Sequence, residues 1–332
     1  MIQPRTLSII FALGIGVCLS LPCSGETALR VAVINAGEGR NVTPDIEASF
    51  KRNLETPDAR PRVRLVDTEL AHAASRGAGY AGSLNLTLAE GRDIGASIGC
   101  DFFFLVASET SRRSSSATPV YYEAATRVML VSARTGKLIV WDYVAAESES
   151  APDAERAMLA KFDAAVSRYR VMMLRAAHDE ERERAAFIAT PPATSSEMPV
   201  VIDEDSSPDT NDKDAIEKVA DDKVNREVET KGSVRPPQPY RRPRPAYTES
   251  ARRAGVEATI DVEVDVLPDG TVGRVETVRW GGFGLDEAAT EIIKRTYFRP
   301  AMRDSVTVLS RVLLRYNFRR PTNATSHATT PN

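Results

Sequence analysis

The period of hydrophobic and polar positions changes several times along the chain, and each change marks an element. "LRVAVIN" (29–35) has the short apolar run of a strand. "TPDIEASFKRNLE" (43–55) opens on Thr43 and Pro44, a cap and a first helical residue, then takes helical spacing. "RVRLVD" (62–67) predicts a second strand, and "LTLAEGRDIGASIG" (86–99) a helix with Leu88, Ile94 and Ile98 apolar and Gly99 at its end. "DFFFLVAS" (101–108) predicts a buried strand. "YYEAATRVMLVSA" (121–133) and "KLIVWDYVAA" (137–146) predict two long strands joined by a hairpin at Arg134–Lys137, where Gly136 supplies a positive φ. Residues 152–189 form one long helical stretch, opened by Pro152 and acidic side chains. The order β-α-β-α-β-β-β-α mixes crossovers with a hairpin and predicts a mixed α/β sandwich.

Apolar periodicity then stops. Residues 190–244 are rich in Pro, Ser, Thr and Asp, acidic in the first half and basic in the second ("VRPPQPYRRPRP"). Such a segment buries too little surface to offset its chain entropy, so a disordered linker is expected. A flexible chain of this length averages roughly 40 Å end to end, and fully stretched it reaches on the order of 180 Å. It is either a plain tether or a deliberate span stiffened by proline.

Order returns at "YTESARRAG" (247–255), a short helix closed by Gly255. Ile260, Val262, Val264 and Val266 then alternate with Asp261, Glu263 and Asp265, a strand with one buried and one wet face. Pro268-Asp269-Gly270 is a turn, and Thr271–Arg279 the returning partner. In "LDEAATEIIKRTYFRPA" (285–301), Leu285, Ala288, Ala289, Ile292, Ile293 and Tyr297 make one apolar stripe. Asp286 and Glu287 stand at its positive end, Lys294 and Arg295 at its negative end, and Pro300 cannot continue it. In the last strand, Val312, Leu314, Tyr316 and Phe318 face one way, Arg311, Arg315 and Asn317 the other. This part predicts α-β-β-α-β with a small antiparallel sheet, so the chain as a whole is α+β.

Tyr247, Ala251, Arg252, Gly255, Asp269, Gly270, Leu285, Asp286, Ala288, Ala289, Phe298, Pro300 and Ala301 come in an order and spacing that resembles the TonB C-terminal domain family. Three departures stand out: Thr248 where the family usually has Pro, Ala258 where it often has Gly, and "MRDSVTV" in place of an Asp-Gly-x-Pro-Val turn. The resemblance implies an energy transducer that crosses the periplasm and captures a short segment of an outer-membrane transporter. The physics is strand addition to an open sheet edge. The expected edge is the last strand, with Arg311, Val312, Leu313, Leu314, Arg315, Tyr316, Asn317 and Phe318 as partner-binding residues. Arg311 and Arg315 point outward there, either protecting the edge or recognising the ligand. Tyr247, Arg252, Gly255, Asp269, Gly270, Leu285, Asp286, Phe298, Pro300 and Ala301 are read as structural. Residues 29–150, through "IGCDFFFLVASETSRR" and "YYEAATRVMLVSARTGKLIVWD", resemble TolB N-terminal and CsgG-like periplasmic domains.

Composition narrows this further. The 332 residues carry a formal charge of -3, which suggests neither nucleic acid nor an acidic membrane as partner. The start, with Arg5 and an apolar run from Leu7 to Leu21, fits a cleaved secretory signal or an uncleaved inner-membrane anchor. Two of the three Cys, Cys18 and Cys23, lie there, which leaves Cys100 as a buried thiol without a disulfide partner. His72, His178 and His327 lack metal-ligand spacing, and "GAGYAGS" (77–83) lacks the Lys of a phosphate loop. No catalytic residue, metal or cofactor is expected, and the chain is read as a non-enzyme. The expected divisions are a leader (1–25), an α/β envelope domain (26–150), a long helix (151–189), the linker (190–244), the TonB-like domain (245–320) and a disordered tail (321–332). Expected partners are an outer-membrane TonB-dependent transporter or another envelope protein, inner-membrane motor proteins if the leader stays, and a second copy as a homodimer. Without the anchor, the alternative is a periplasmic adaptor with no link to the motor.

Overall fold

The computed structural model describes residues 28–37, 44–57, 60–114, 120–189, 200–203, 234–241 and 243–320. The leader, most of the linker and the tail lie outside the described residues.

The N-terminal sheet has the strand order β2-β1-β4-β5-β6. β1 (Leu29–Asn35) pairs in parallel with β2 (Val63–Leu65) and with β4 (Phe102–Arg113). β4, β5 (Tyr121–Ser132) and β6 (Leu138–Ser148) form an antiparallel meander. Strands flanked on both faces read as near-continuous apolar runs, as Phe102–Val106 does. α1 (Pro44–Leu54) and α4 (Ala151–Ala189) cover one face. There Phe50 meets Phe104 and Phe162 at centroid distances of 4.6 and 5.3 Å, and Tyr169 lies 6.0 Å from Phe104. α4 buries Ala154, Met158, Phe162, Ala165, Val166, Tyr169 and Met173 on one stripe. Its residues 181–187 are exposed, so a helix of ~58 Å overhangs the sheet it packs on. The first half of the long helix thus packs on the N-terminal sheet.

The other face carries α2 (Thr68–Gly77) and α3 (Leu88–Ile98). α2 is absent from the sequence reading because it packs through Ala71 and Ser75, too small to make an apolar stripe. α3 begins later than its pattern suggests, because Leu86–Thr87 is a short strand, β3. Thr87 and Glu90 form a capping box, and Gly99 closes the helix in the left-handed region. α3 lies close on the β5–β6 turn: a Cβ on Gly95 would overlap Ala133, and one on Gly136 the Leu88 carbonyl.

The C-terminal sheet runs β3-β11-β10-β15-β7. β7 is Val200–Asp203, β10 Ala258–Val266, β11 Val272–Trp280 and β15 Ser310–Phe318. α5 (Glu249–Ala254) and α6 (Leu285–Lys294) accompany it. Two small ladders complete the unit. β8 (Val234–Arg235) pairs with β13 (Ala301–Arg303), which also forms a hairpin with β14 (Val306–Val308), and β9 (Gln238–Pro239) pairs with β12 (Phe298–Arg299). The "MRDSVTV" departure thus makes a two-residue hairpin, with Asp304 and Ser305 at φ 51° and 66°.

Two expectations about the linker change. Residues 234–241 lie in extended backbone on the C-terminal unit, because proline already holds φ near its extended value and ordering it costs little. Val200–Asp203, inside the acidic half, is a strand of the C-terminal sheet. The two units also share one core: Ala32, Ile34, Phe103, Met129 and Val131 of the first unit lie in one cluster with Trp280, Phe283, Leu285 and Ile293 of the second.

Candidate functional site

β15 alternates as its sequence demands. Val312, Leu314, Tyr316 and Phe318 are buried against Ile260, Val262 and Val264 of β10 and the apolar stripe of α6. Arg311, Leu313, Arg315 and Asn317 are half-buried on the opposite face. The expected edge is one strand further out. β7 runs parallel to β15, with Val200, Val201, Ile202 and Asp203 in register with Val312, Leu313, Leu314 and Arg315. Every other strand pair in this sheet is antiparallel. The final strand therefore takes an added strand along its middle, and the strand it takes comes from the linker.

The polar face supplies partners for the arginines. Asp261 on β10 is only 4% exposed. Arg315 donates to it from Nε at 2.7 Å and Nη2 at 3.0 Å, and Arg279 of β11 from Nε at 3.3 Å on the other side. Arg311 donates to Asp265 at 2.7 Å, which raises the guanidinium pKa further. Alternation places these side chains above the sheet, where they bridge neighbouring strands, instead of outward along its edge. Two guanidinium groups offset the cost of burying the Asp261 carboxylate.

The motif residues build the frame that presents β15. The Tyr247 hydroxyl donates to the Val256 carbonyl at 2.7 Å, across the end of α5, and Gly255 closes that helix at φ 60°. Thr248 accepts from Ala251 N–H at 3.1 Å and donates to the Phe283 carbonyl at 2.5 Å. It thus caps α5 and ties it to the start of α6, work that proline lacks a hydroxyl to do. Arg252 is exposed and pairs with Glu249 at 2.6 Å. Asp269 accepts from Thr271 N–H at 2.9 Å in the β10–β11 turn, and Gly270 follows at φ 84°. Gly270 accepts from Phe298 N–H at 2.9 Å, and a Cβ there would overlap the Phe298 carbonyl. The Asp-Gly turn and the Phe298-Arg299-Pro300-Ala301 connection, far apart in sequence, thus meet. Phe298 and Ala301 are buried. The start of α6 has no side-chain cap at Gly284; instead Asp286 turns back to accept from Gly281 and Gly282 N–H at 3.1 and 2.7 Å. Burial nonetheless lifts its carboxyl to about 6.

The sequence reading passes over "WGGFG" (280–284), which docks the C-terminal unit on the first. Trp280 donates from Nε1 to the Gly136 carbonyl at 2.9 Å. Gly282, Phe283 and Gly284 all have positive φ. For Phe283, at φ 54°, this is strained backbone, held by burial and by the Trp141 ring at 5.2 Å. Asn85 donates to the Thr259 and Trp280 carbonyls at 2.9 and 2.7 Å and accepts from Thr259 N–H at 3.0 Å. β3 adds to β11 at Arg279 and Trp280. Beside this junction a cleft of about 600 Å³ lies between Lys137–Trp141 of the first unit and Arg274–Thr277 of the second.

Other reactive groups have structural surroundings. His72 accepts from Asn35 N–H at 3.3 Å, and burial lowers its pKa. Burial pushes the Cys100 thiol up to about 12. Among the described residues no group of three or more His, Cys, Asp or Glu side chains could hold a metal ion.

The C-terminal unit is thus a small antiparallel sheet packed with two helices, whose last strand accepts an added one. Residues 243–319 match the family described as Gram-negative bacterial TonB protein C-terminal, so this part of the chain is a TonB-type C-terminal domain. Residues 29–150 lie outside the match. No curated protein matches the chain. Among solved structures it is similar to the hypothetical protein CT253 from Chlamydia trachomatis, at 13% identity and TM-score 0.31, over 44% of this chain and 98% of that one. It is similar to lipoprotein GNA1162 from Neisseria meningitidis at 12% and 0.28, over 42% and 96%. The LpoB C-terminal domain from Salmonella enterica follows at 17% and 0.24, over 37% and 85%. No helix among the described residues is long and apolar enough to cross a membrane.

Proposed function

We propose that this is an envelope protein of a Gram-negative cell whose C-terminal domain captures an extended segment of an outer-membrane transporter at β15, and so supports transport through that partner. The β7–β15 pairing carries the reading: a strand from outside the domain already lies on this edge, in register over four residues. Backbone bonds supply affinity in such capture, and alternate side chains supply selectivity. The TonB-type match at residues 243–319 supports the class of partner. The reading assigns no catalytic step and no cofactor. A photo-crosslinking residue in place of Leu313, in the full chain in cells, is expected to yield adducts with an outer-membrane transporter. Equal yield of the same adduct from a probe at Arg274, on the far side of the sheet, would sink it.

A second reading is an exported periplasmic adaptor without a link to a proton-driven motor. The shared core favours it, since a domain docked through Trp280 and Phe283 is not a free end reaching across the periplasm. Determination of the mature N-terminus separates the two. A chain starting near Glu26 has no membrane anchor and supports the adaptor, while an intact leader supports the transducer.

A further inference from the structure

We propose that the β15 edge accepts a parallel β-branched segment, and that Val200–Asp203 is the chain's own copy of it, so the free protein occupies its own capture edge. This rests on the strand-capture reading.

Val200-Val201-Ile202 is the only run of three β-branched apolar residues between Thr190 and Ser233. Such residues favour strands. Pro199 stands before the run, where a strand tolerates proline, and Asp203-Glu204-Asp205 follow it. A strand signal is therefore written into a segment whose composition is otherwise polar. Its register sets Asp203 opposite Arg315 at the end of the ladder. The parallel sense is as informative. A hairpin would have made the pair antiparallel, whereas the chain between Asp203 and β8 at Val234 is long enough to return along the domain. A segment held in this way needs no turn geometry of its own, so an extended peptide from another protein fits the same register.

Tethering makes the segment a competitor. A segment tethered in the same chain acts at an effective concentration on the order of millimolar. A free peptide of the same pattern then binds the intact chain on the order of tenfold more weakly than it binds a chain whose own segment is disabled.

The test uses the full chain and a labelled peptide of residues 198–205, Met-Pro-Val-Val-Ile-Asp-Glu-Asp. The variant V201P/I202P removes a donor whichever alternate residues face β15. Anisotropy titration is expected to show about tenfold tighter peptide binding to the variant. Amide hydrogen exchange at Val312–Arg315 is expected to rise in the variant and to fall again when peptide is added. Unchanged exchange with equal binding to both chains overturns self-occupancy and leaves capture standing. Faster exchange in the variant without peptide binding to either chain supports self-occupancy and overturns capture.

Discussion

Replacing Arg315 by Met separates a structural arginine from a recognising one. Arg315 holds Asp261 through two hydrogen bonds of 2.7 and 3.0 Å, and the two side chains are 34% and 5% exposed. Breaking a fully buried pair costs about 3–5 kcal/mol. Here a third of the arginine is wet and Arg279 still reaches the Asp261 Oδ2 at 3.3 Å, so screening reduces the loss to about 2 kcal/mol. If the two units unfold together, as their common core implies, the midpoint falls by about 4–8 °C. Urea or thermal unfolding of the full chain measures it. A cycle with Asp261→Asn should return a coupling of about 1–2 kcal/mol. Arg315→Met with wild-type stability and weakened peptide capture would refute the structural assignment and return the side chain to the binding surface.

Three further outcomes follow from the frame around β15. Trp280→Phe leaves the buried Gly136 carbonyl unpaired and should cost about 1–3 kcal/mol, with faster proteolysis between the units. Gly136→Ala should cost about 2 kcal/mol or more, because the position has φ 72° and its Cβ would overlap the Leu88 carbonyl; circular dichroism melts measure it. The Asp286 carboxyl is held at about 6, above its unfolded value of 3.8, so the folded chain binds this proton more tightly than the unfolded chain. Its contribution is full below about pH 4, is lost as pH rises to about 6, and amounts to about 2 kcal/mol for a group still partly wet. Asp286→Asn should remove that part of the stability–pH curve, and an identical curve for both chains would contradict it.

The long elements were legible because each buries one face of a regular period. Ile260 to Val266 and Leu285 to Ile293 show their patterns in full, and the structure places both as strand and helix. α2 escapes notice because Ala and Ser can fill a narrow contact without any apolar stripe. The arginines stand on the face their alternation assigns, but their partners were not legible, because alternation says nothing of a carboxylate on the next strand. Asp261 and Arg315 are 54 residues apart and meet only through register. The docking loop hid for a related reason. "GGFG" reads as punctuation, and its meaning depends on Met129, Leu138 and Trp141 pressing on Gly282. β7 had a local signal, three consecutive β-branched residues, which the polar composition around it outweighed.

Lateral order in the C-terminal sheet also decides where mechanical load would go. From β15 the ladder passes to β10, to β11 and then to β3, which belongs to the N-terminal unit. Tension applied by anything bound at β15 therefore leaves through backbone bonds and the Trp280 contact, sideways into the first sheet. The shortest ladder on that route is the two-residue bridge of Leu86 and Thr87 with Trp280 and Arg279.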